Sequence, residues 1–160
     1  MEYNGVTLTE EMIWVLAIVA IISYTVRGFY CHTIKRTLDL ISEDNRCMQP
    51  KMAWLAIIPL FSIYWNFIIA TQMSDSLTNE FYDRKIPEEE NPGRKTGLTY
   101  STLIALANFP FFPSFAVALA LVSIVYFIKY WIKVDNFRVL LKKHNRHIAY
   151  RKDHEEHEIK

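Results

Sequence analysis

The chain has 160 residues, of which 51% are hydrophobic and 22% are charged, and its formal net charge is +1. This length allows one domain, and the near-neutral charge argues against a nucleic-acid binder. The averages would suit a soluble protein, but the charges are segregated. All 18 Lys and Arg residues lie outside three stretches, namely 1–26, 52–83 and 96–128. Because a soluble domain spreads its basic residues over its whole surface, this pattern predicts an all-α integral membrane protein.

Four apolar stretches are candidate membrane segments within a predicted transmembrane domain at 1–134. They lie at about 8–27, 52–73, 96–109 and 114–131. The first has ~20 residues, or about 30 Å of helix, which matches the hydrocarbon core of a bilayer. The last is followed by aromatic and basic residues that are typical of an interfacial belt. Pro110 and Pro113 divide the third segment from the fourth.

The second segment is interrupted by Pro59. Proline removes one helical hydrogen bond and clashes with the preceding turn, so we expect a true break in the helix. Two arrangements stay open: a kinked helix that crosses the bilayer, and a re-entrant pair of half-helices that turns at 59–62. The chain would have four crossings in the first arrangement and three in the second.

The positive-inside rule bears on this choice. With four crossings, the loop at 27–51 and its five basic residues lie outside the cell. With a re-entrant second segment, all basic residues are cytoplasmic, and only 1–11 and the turn at 108–114 face out. Four plain crossings are the commoner architecture, but the charges favour the re-entrant one. Both arrangements place the basic tail, 135–160, in the cytoplasm.

Asn66 and Asn108 are the clearest polar residues within the apolar segments. They fit either a permeation path or ligand site, or an interhelical hydrogen bond worth about 0.6–2 kcal/mol. We favour the hydrogen bond, because neither side chain is ionisable.

Four histidines near the carboxyl end form two i, i+3 pairs, His144 with His147 and His154 with His157. This spacing can place two imidazoles on one helix face, as a metal site requires. The surrounding segment is strongly charged and no preorganised site is expected, so we predict neither a metal nor another cofactor. The sequence contains no phosphate-binding loop, nucleophile elbow or zinc motif, and nothing in it supports an enzyme.

Two amphipathic helical extensions are predicted on the cytoplasmic side. An apolar stripe follows the first segment and comprises Ile34, Leu38 and Ile41. Phe137, Leu141 and Ile148 share a face of the last helix and form a candidate docking face. This face either lies on lipid headgroups or packs against the first stripe as a small bundle. We favour the bundle, because both stripes would otherwise stay exposed on one side of the membrane.

The stretch 45–84 resembles a motif of uncharacterised small multi-pass membrane proteins of bacteria. In that family, Asn-Arg-x-Met-x-Pro precedes a Trp, then Ile-Pro-Leu-Phe, a second Trp and Ser-Asp-Ser-Leu. The matching residues here are Asn45, Arg46, Met48, Pro50, Trp54, 58–61, Trp65 and 74–77, which includes Asp75. Lys51 and Ser62 stand where the family often has Gly and Asn. The resemblance implies a protein of the bacterial inner membrane with structural roles for Pro59 and Trp65, and it transfers no activity.

Three classes of function stay open. The first is a non-enzymatic membrane component that docks with a second copy of itself or with a protein partner on the cytoplasmic side. The second is a small oligomeric channel or membrane-disrupting effector, with the broken second segment lining the pore. The third is a membrane-embedded enzyme or lipid-handling protein. The first ranks highest, since it needs only the bilayer, apolar helices, a basic tail and amphipathic extensions.

Overall fold

The computed structural model describes residues 9–109 and 113–158. Residues 1–8, 110–112 and 159–160 lie outside the described residues, and with them the middle of the predicted turn at 108–114. The elements are α1 (Glu10–Leu40), a short 3-10 turn (Glu43–Asn45), a 3-10 helix (Pro50–Ile57), α2 (Phe61–Asp83), α3 (Arg94–Ala107) and α4 (Pro113–Glu158). Neither described range contains a strand, which confirms the all-α prediction.

Two helices are long and apolar enough to cross a membrane, Glu10–Leu40 and Ser114–Arg151. Their most apolar 18-residue windows have mean hydropathies of 1.9 and 2.0, and only 0% and 11% of those windows are buried. The apolar core helix of a soluble protein would bury this surface, whereas these helices expose it. Within the described ranges we therefore find two candidate spans, where the sequence predicts three or four.

At the two other predicted segments, 52–73 and 96–109, the helices do not have the predicted bounds. α3 has 14 residues, which give about 21 Å of helix, less than the hydrocarbon thickness. α2 begins only at Phe61, and it runs past the expected limit at residue 73 into the polar stretch that ends at Asp83.

Two side-chain contacts show that α1 and α2 run in the same direction. Arg27 donates to Ser62 Oγ at 3.1 Å near the start of α2. Ser42, just past the end of α1, donates to Glu80 Oε2 at 2.6 Å near the end of α2. Because two consecutive helices are parallel, the connection between them must return along their full shared length, and the 3-10 helix packs on both of them.

The direction of α4 follows from its contacts with α1. The rings of Tyr30 and Phe127 lie 5.1 Å apart, and Trp131 Nε1 donates to Thr33 Oγ1 at 3.0 Å. The two helices therefore run in the same direction, and α4 is parallel to α1.

α3 runs the opposite way, between α2 and α4. Arg94 pairs with Asp75 at 2.8 Å, and Asn66 Nδ2 donates to Tyr100 Oη at 3.4 Å. Gly97 allows this close packing: a Cβ at its position would lie 2.8 Å from Ala70 Cβ and also 2.8 Å from the Tyr130 ring.

The chain reverses at Pro59. Phe61 N–H donates to Pro59 O at 2.7 Å across Leu60, whose φ is 63° and ψ is −52°. An i to i+2 hydrogen bond closed around a positive φ is the strained form of the γ-turn. The 3-10 helix before it lies antiparallel to α2, since Trp65 Nε1 donates to Met52 O at 2.8 Å. The break expected at Pro59 is thus present, and it takes the form of a hairpin and not of one kinked helix.

The helical body, which we define as residues 30–101 and 130–145, has an apolar core of residues from α1, α2, α4 and the 3-10 helix. Phe137 is 5% exposed and Leu141 0%, and both lie in one cluster with Ile34, Leu38 and Ile41. The bundle favoured from the sequence is therefore formed.

This packing corrects the candidate docking face. Phe137 and Leu141 are covered by the rest of the chain, so an outside partner has no access to them. Ile148 is 42% exposed and lies apart from the core cluster. The physical reason is that the stripe on α1 supplies an apolar surface within the same chain, which leaves nothing at these two positions for a partner to bury.

α4 is one helix of 46 residues, or about 69 Å, so one helix connects the predicted transmembrane domain to the predicted tail at 135–160. It continues through the body and beyond it. The apolar arms, which we define as residues 10–29 of α1 and 114–129 of α4, leave the body at one end, and the last turns of α4 leave it at the other.

The turn at Leu60 provides a test of the hairpin. Leu60 is 84% exposed, so replacing it removes little packing. Leu60→Gly should raise the free energy of unfolding in detergent by about 1 kcal/mol, because glycine adopts a positive φ without steric cost. Leu60→Val should lower it, because β-branched residues are strongly disfavoured there.

The matched control is Leu121→Gly. Leu121 is 62% exposed and lies in the interior of α4. The same substitution there should destabilise by about 1 kcal/mol or more, since glycine weakens a helix interior. If Leu60→Gly melted below the wild type, the strained turn would be refuted.

Candidate functional site

Two arginines satisfy carbonyl groups at the carboxyl end of α1. The last four carbonyls of an α-helix have no partner within the helix. Arg46 Nε donates to Ile41 O at 2.8 Å, and Arg46 Nη2 donates to Asp39 O at 3.3 Å. Arg84 Nη2 donates to Leu40 O at 3.1 Å. Both guanidinium charges also complement the negative end of the helix dipole.

Glu80 of α2 lies beside this helix end and is 2% exposed. Its Oε2 accepts hydrogen bonds from Ser42 N at 3.1 Å, Ser42 Oγ at 2.6 Å and Asn45 Nδ2 at 2.9 Å. Its Oε1 accepts one from Arg84 Nε at 2.7 Å and forms a salt bridge with the same guanidinium. A buried carboxylate is stable only when it is paired and hydrogen-bonded in this way.

Arg84 joins this network to α4, because its Nη1 donates to Asn145 Oδ1. The Glu80 cluster, which we define as Ser42, Asn45, Glu80, Arg84 and Asn145, therefore joins the end of α1, the loop after it, α2 and α4. One guanidinium holds three of these elements at a single point.

The hydrogen bonds control the ionisation of Glu80. Burial alone would raise the pKa of its carboxyl group, but donors from Ser42, Asn45 and Arg84 stabilise the charged form and hold the pKa below its ordinary value of 4.5. Because both carboxylate oxygens already accept hydrogen bonds from fixed donors and the side chain is buried, Glu80 is poorly placed to accept a proton from a substrate. The arrangement serves to position helices.

The structure places the motif residues at both ends of the hairpin. Asn45 also donates to Asp83 Oδ2 at 2.7 Å, and Asp75 pairs with Arg94 and so ties α2 to α3. At the other end, Trp65 stacks on Phe61 with ring centroids 5.2 Å apart. Trp54 is 42% exposed and lies on the 3-10 helix.

The two asparagines of the apolar segments lie apart and differ in role. Asn66 is 5% exposed and makes the interhelical hydrogen bond to Tyr100. Asn108 is exposed and donates to Ile104 O at 2.7 Å within its own helix end. The structure does not bring them together into a shared site.

The histidines of α4 do not converge on a metal position in the described part of the chain. His144 is half-buried, His147 is exposed, and His154 is exposed with its ring against Tyr150 at 4.3 Å. The side chain of His157 lies outside the described residues. Among the side chains that the structure describes, no group of three or more His, Cys, Asp or Glu could hold a metal ion.

Glu80 and Arg84 were missed in the sequence analysis, because the motif residues that it singled out in the stretch 45–84 end at residue 77. A signal was present. Glu80 follows Leu77 by three residues and Met73 by seven, so it occupies the apolar face of its helix. An acid in that register, with an arginine at i+4, is the pattern of a buried and paired carboxylate.

The sequence matches no protein-family model, and no curated protein or solved structure is similar to it. The resemblance of 45–84 to small bacterial multi-pass proteins therefore stays a prediction.

Removal of the Glu80 charge should destabilise the fold. Glu80→Gln leaves Arg84 without its counter-ion inside the cluster, and loss of one partner of a buried ion pair costs roughly 3–5 kcal/mol. We expect a large drop in the thermal stability of the detergent-solubilised protein at pH 7. The control is Glu89→Gln, since the Lys133–Glu89 pair is solvent-exposed and contributes at most about 1 kcal/mol. Equal effects of the two substitutions would contradict a structural role for the cluster.

The same cluster should give the protein an acid-sensitive stability. The folded-state pKa of Glu80 lies below its unfolded value, so its contribution is fully present above pH 4.5 and disappears as the pH falls through the folded pKa. The stability difference between the wild type and Glu80→Gln should therefore be constant near neutrality and shrink below pH 4.5. A difference that grew on acidification would show that the sign of the pKa shift is wrong.

Proposed function

We propose that this chain is an integral protein of the bacterial inner membrane that acts as a non-enzymatic docking component. In this proposal the apolar arms cross the bilayer and hold the helical body against its cytoplasmic face. The observation that carries it is the contrast between two parts of the same helices. Almost none of the apolar residues of the arms is buried, while the continuations of α1 and α4 bury theirs in an ordinary core.

The charges support a cytoplasmic body. The arms leave the body from one end, and residues 10–26 and 114–128 contain no Lys or Arg. All 18 basic residues belong to the remainder of the chain. By the positive-inside rule, the body and the tail at 135–160 then lie in the cytoplasm.

The direction of the helices supports a third crossing between Tyr100 and Pro113. Tyr100 lies at the base of the α4 arm, with its ring 5.2 Å from that of Phe127. Pro113 begins α4 fourteen residues earlier, about 21 Å farther along the arm. Because both arms run toward the body, we propose that the chain returns through the membrane layer between Tyr100 and Pro113.

The hairpin at Pro59 supports the re-entrant arrangement. Its turn is level with the base of the α1 arm, as the contact of Arg27 with Ser62 shows. Leu60 and Tyr64 are 84% and 62% exposed near the tip. We propose that these side chains enter the interfacial layer from the cytoplasmic side and do not cross the bilayer. Amphipathic aromatic rings are favoured in the interfacial layer.

The end of α4 is the proposed docking surface. Beyond Asn145 the helix leaves the body, and Ile148 and Tyr150 are 42% and 65% exposed. Residues 142–152 contain five basic residues and no acidic one. This surface would suit a protein partner with an acidic face, since complementary charge guides association.

Membrane topology is tested with carboxyl-terminal fusions in a bacterial host. A reporter that is active only outside the cytoplasm should stay silent, and one that fluoresces only inside should be bright. The reverse pattern would overturn the orientation and with it a cytoplasmic docking role.

The docking role is tested by site-specific photo-crosslinking in intact membranes. A crosslinker at Tyr150 should give one discrete heavier adduct, whereas one at Tyr82, which is 84% exposed on α2, should not. Arg146→Glu with Arg151→Glu should abolish the adduct, because charge reversal repels an acidic face. Lys85→Glu with Lys95→Glu makes the same charge change away from the tail and should leave it intact. An adduct insensitive to both pairs would refute the charged docking surface.

A further inference from the structure

A groove runs along the seam between α1 and α4 on the surface of the helical body. It encloses about 500 Å³ and is lined by three basic residues, one acid and two aliphatic side chains: Arg36, Asp39 and Leu40 of α1, and Arg138, Val139 and Lys142 of α4. The two helices are parallel here, so the groove continues the direction of the arms.

The charges of the groove are not balanced. Asp39 is the one acid that lines it, and this carboxylate already pairs with Lys35 at 3.7 Å. Arg138 pairs with Asp135 at 2.6 Å. Among the residues that the structure describes, Arg36 and Lys142 form no salt bridge, and both are exposed. If these two ion pairs are counted as neutral, the positive charges of Arg36 and Lys142 remain unpaired on the two walls of the groove.

A second cavity of about 330 Å³ lies on the same seam, nearer the arms. It is lined by Thr33, Trp131, Ile132, Asp135 and Asn136, and the Asp135 carboxylate is the one that pairs with Arg138. Tryptophan is favoured at the boundary between hydrocarbon and headgroups. Arg138 follows Trp131 by seven residues, or about 10 Å of helix, which places it at the outer limit of a headgroup layer of about 5–8 Å. The seam thus offers an upper part with aromatic and apolar walls, in which the one acid is paired with Arg138, and a cationic lower part.

We propose that this seam binds an anionic phospholipid, with the phosphate headgroup held between Arg36, Arg138 and Lys142. The proposal rests on the membrane placement argued above. Arginine forms bidentate hydrogen bonds with phosphate oxygens, and two arginines from opposite walls can bind one phosphate group at once. The glycerol and the start of the acyl chains then lie along Trp131 and Ile132. Leu40 and Val139 form the floor of the groove, and they strengthen the charge interactions by limiting access of water.

The test measures lipid binding to the full-length protein in neutral detergent by native mass spectrometry. The probes are phosphatidic acid, phosphatidylglycerol, phosphatidylcholine and inorganic phosphate. We expect the affinity to fall in that order, since among the three lipids the phosphomonoester carries the most negative charge, and inorganic phosphate lacks the glycerol and acyl chains that would contact Trp131 and Ile132. Arg36→Gln with Arg138→Gln and Lys142→Gln should weaken binding of phosphatidic acid by about tenfold or more, because each cation near an anionic lipid contributes on the order of a fivefold gain.

The matched control replaces Lys51, Lys85 and Lys95 by Gln. These three residues are exposed and lie off the seam, and the change in net charge is the same. Binding should stay at the wild-type level. The melting temperature of each variant without lipid shows whether it folds. The single variant Arg36→Gln changes an exposed position, so it gives a second measurement of lipid binding with little effect on folding.

Several results would overturn the lipid site. These are equal binding of phosphatidylcholine and phosphatidic acid, undiminished binding by the folded triple variant, and saturation of the site by inorganic phosphate at the same concentration. Since the measurement is made in detergent, its failure is separate from a failure of the topology. A silent external reporter with no binding of phosphatidic acid would leave the membrane placement standing and remove the lipid site.

Discussion

The carboxyl end of α1 is the point on which the structure depends, because a helix that ends against a packed body leaves its last carbonyls without partners. Water cannot reach all of them, and each unpaired group would cost free energy of the order of 1–3 kcal/mol. Arg46 and Arg84 supply the missing donors. Arg84 is itself buried enough to need a counter-ion, and Glu80 supplies that. The carbonyls at the end of α1 thus require the arginines, and Arg84 in turn requires Glu80.

The parallel arrangement of α1 and α2 follows from the same cluster. Glu80 lies near the end of α2, so α2 must finish beside the end of α1. The chain leaves α1 at that very end and has to travel back before α2 can start. The 3-10 helix makes this return, and Pro59 and Leu60 reverse it within one γ-turn. Backbone strain at Leu60 is therefore a consequence of fixing both helix ends at one polar point, and the cluster must outweigh it.

Much of this architecture could be predicted from the sequence, and the remainder could not for identifiable reasons. Segregated charge and long apolar runs predict α1 and α4, since these signals extend over many residues. Pro59 predicts a break because its effect is local. The covering of Phe137 and Leu141 by the stripe on α1 was predicted as the favoured alternative, since both stripes would otherwise stay exposed on one side of the membrane.

The Glu80 cluster and the seam could not be predicted in this way. Both depend on residues far apart in sequence, such as Arg84 with Asn145 and Arg36 with Arg138, and no periodicity links such pairs. The parallel course of α1 and α2 was equally hidden, because the usual expectation for consecutive helices joined by a short loop is an antiparallel pair. Only the three-dimensional placement of Glu80 shows why the loop is longer than a simple turn.

The two polar features of the body differ in what their charges can still do. In the Glu80 cluster, each donor meets an acceptor, so the charges are paired and hold the helices together. Along the seam, Arg36 and Lys142 face each other across an open groove, and their mutual repulsion opposes the packing of α1 against α4 at that level. The apolar contacts of Leu38 and Leu141 in the core must offset it. A phosphate between the two walls would turn this repulsion into attraction on both sides, so that binding at the membrane surface and stability of the body would be linked.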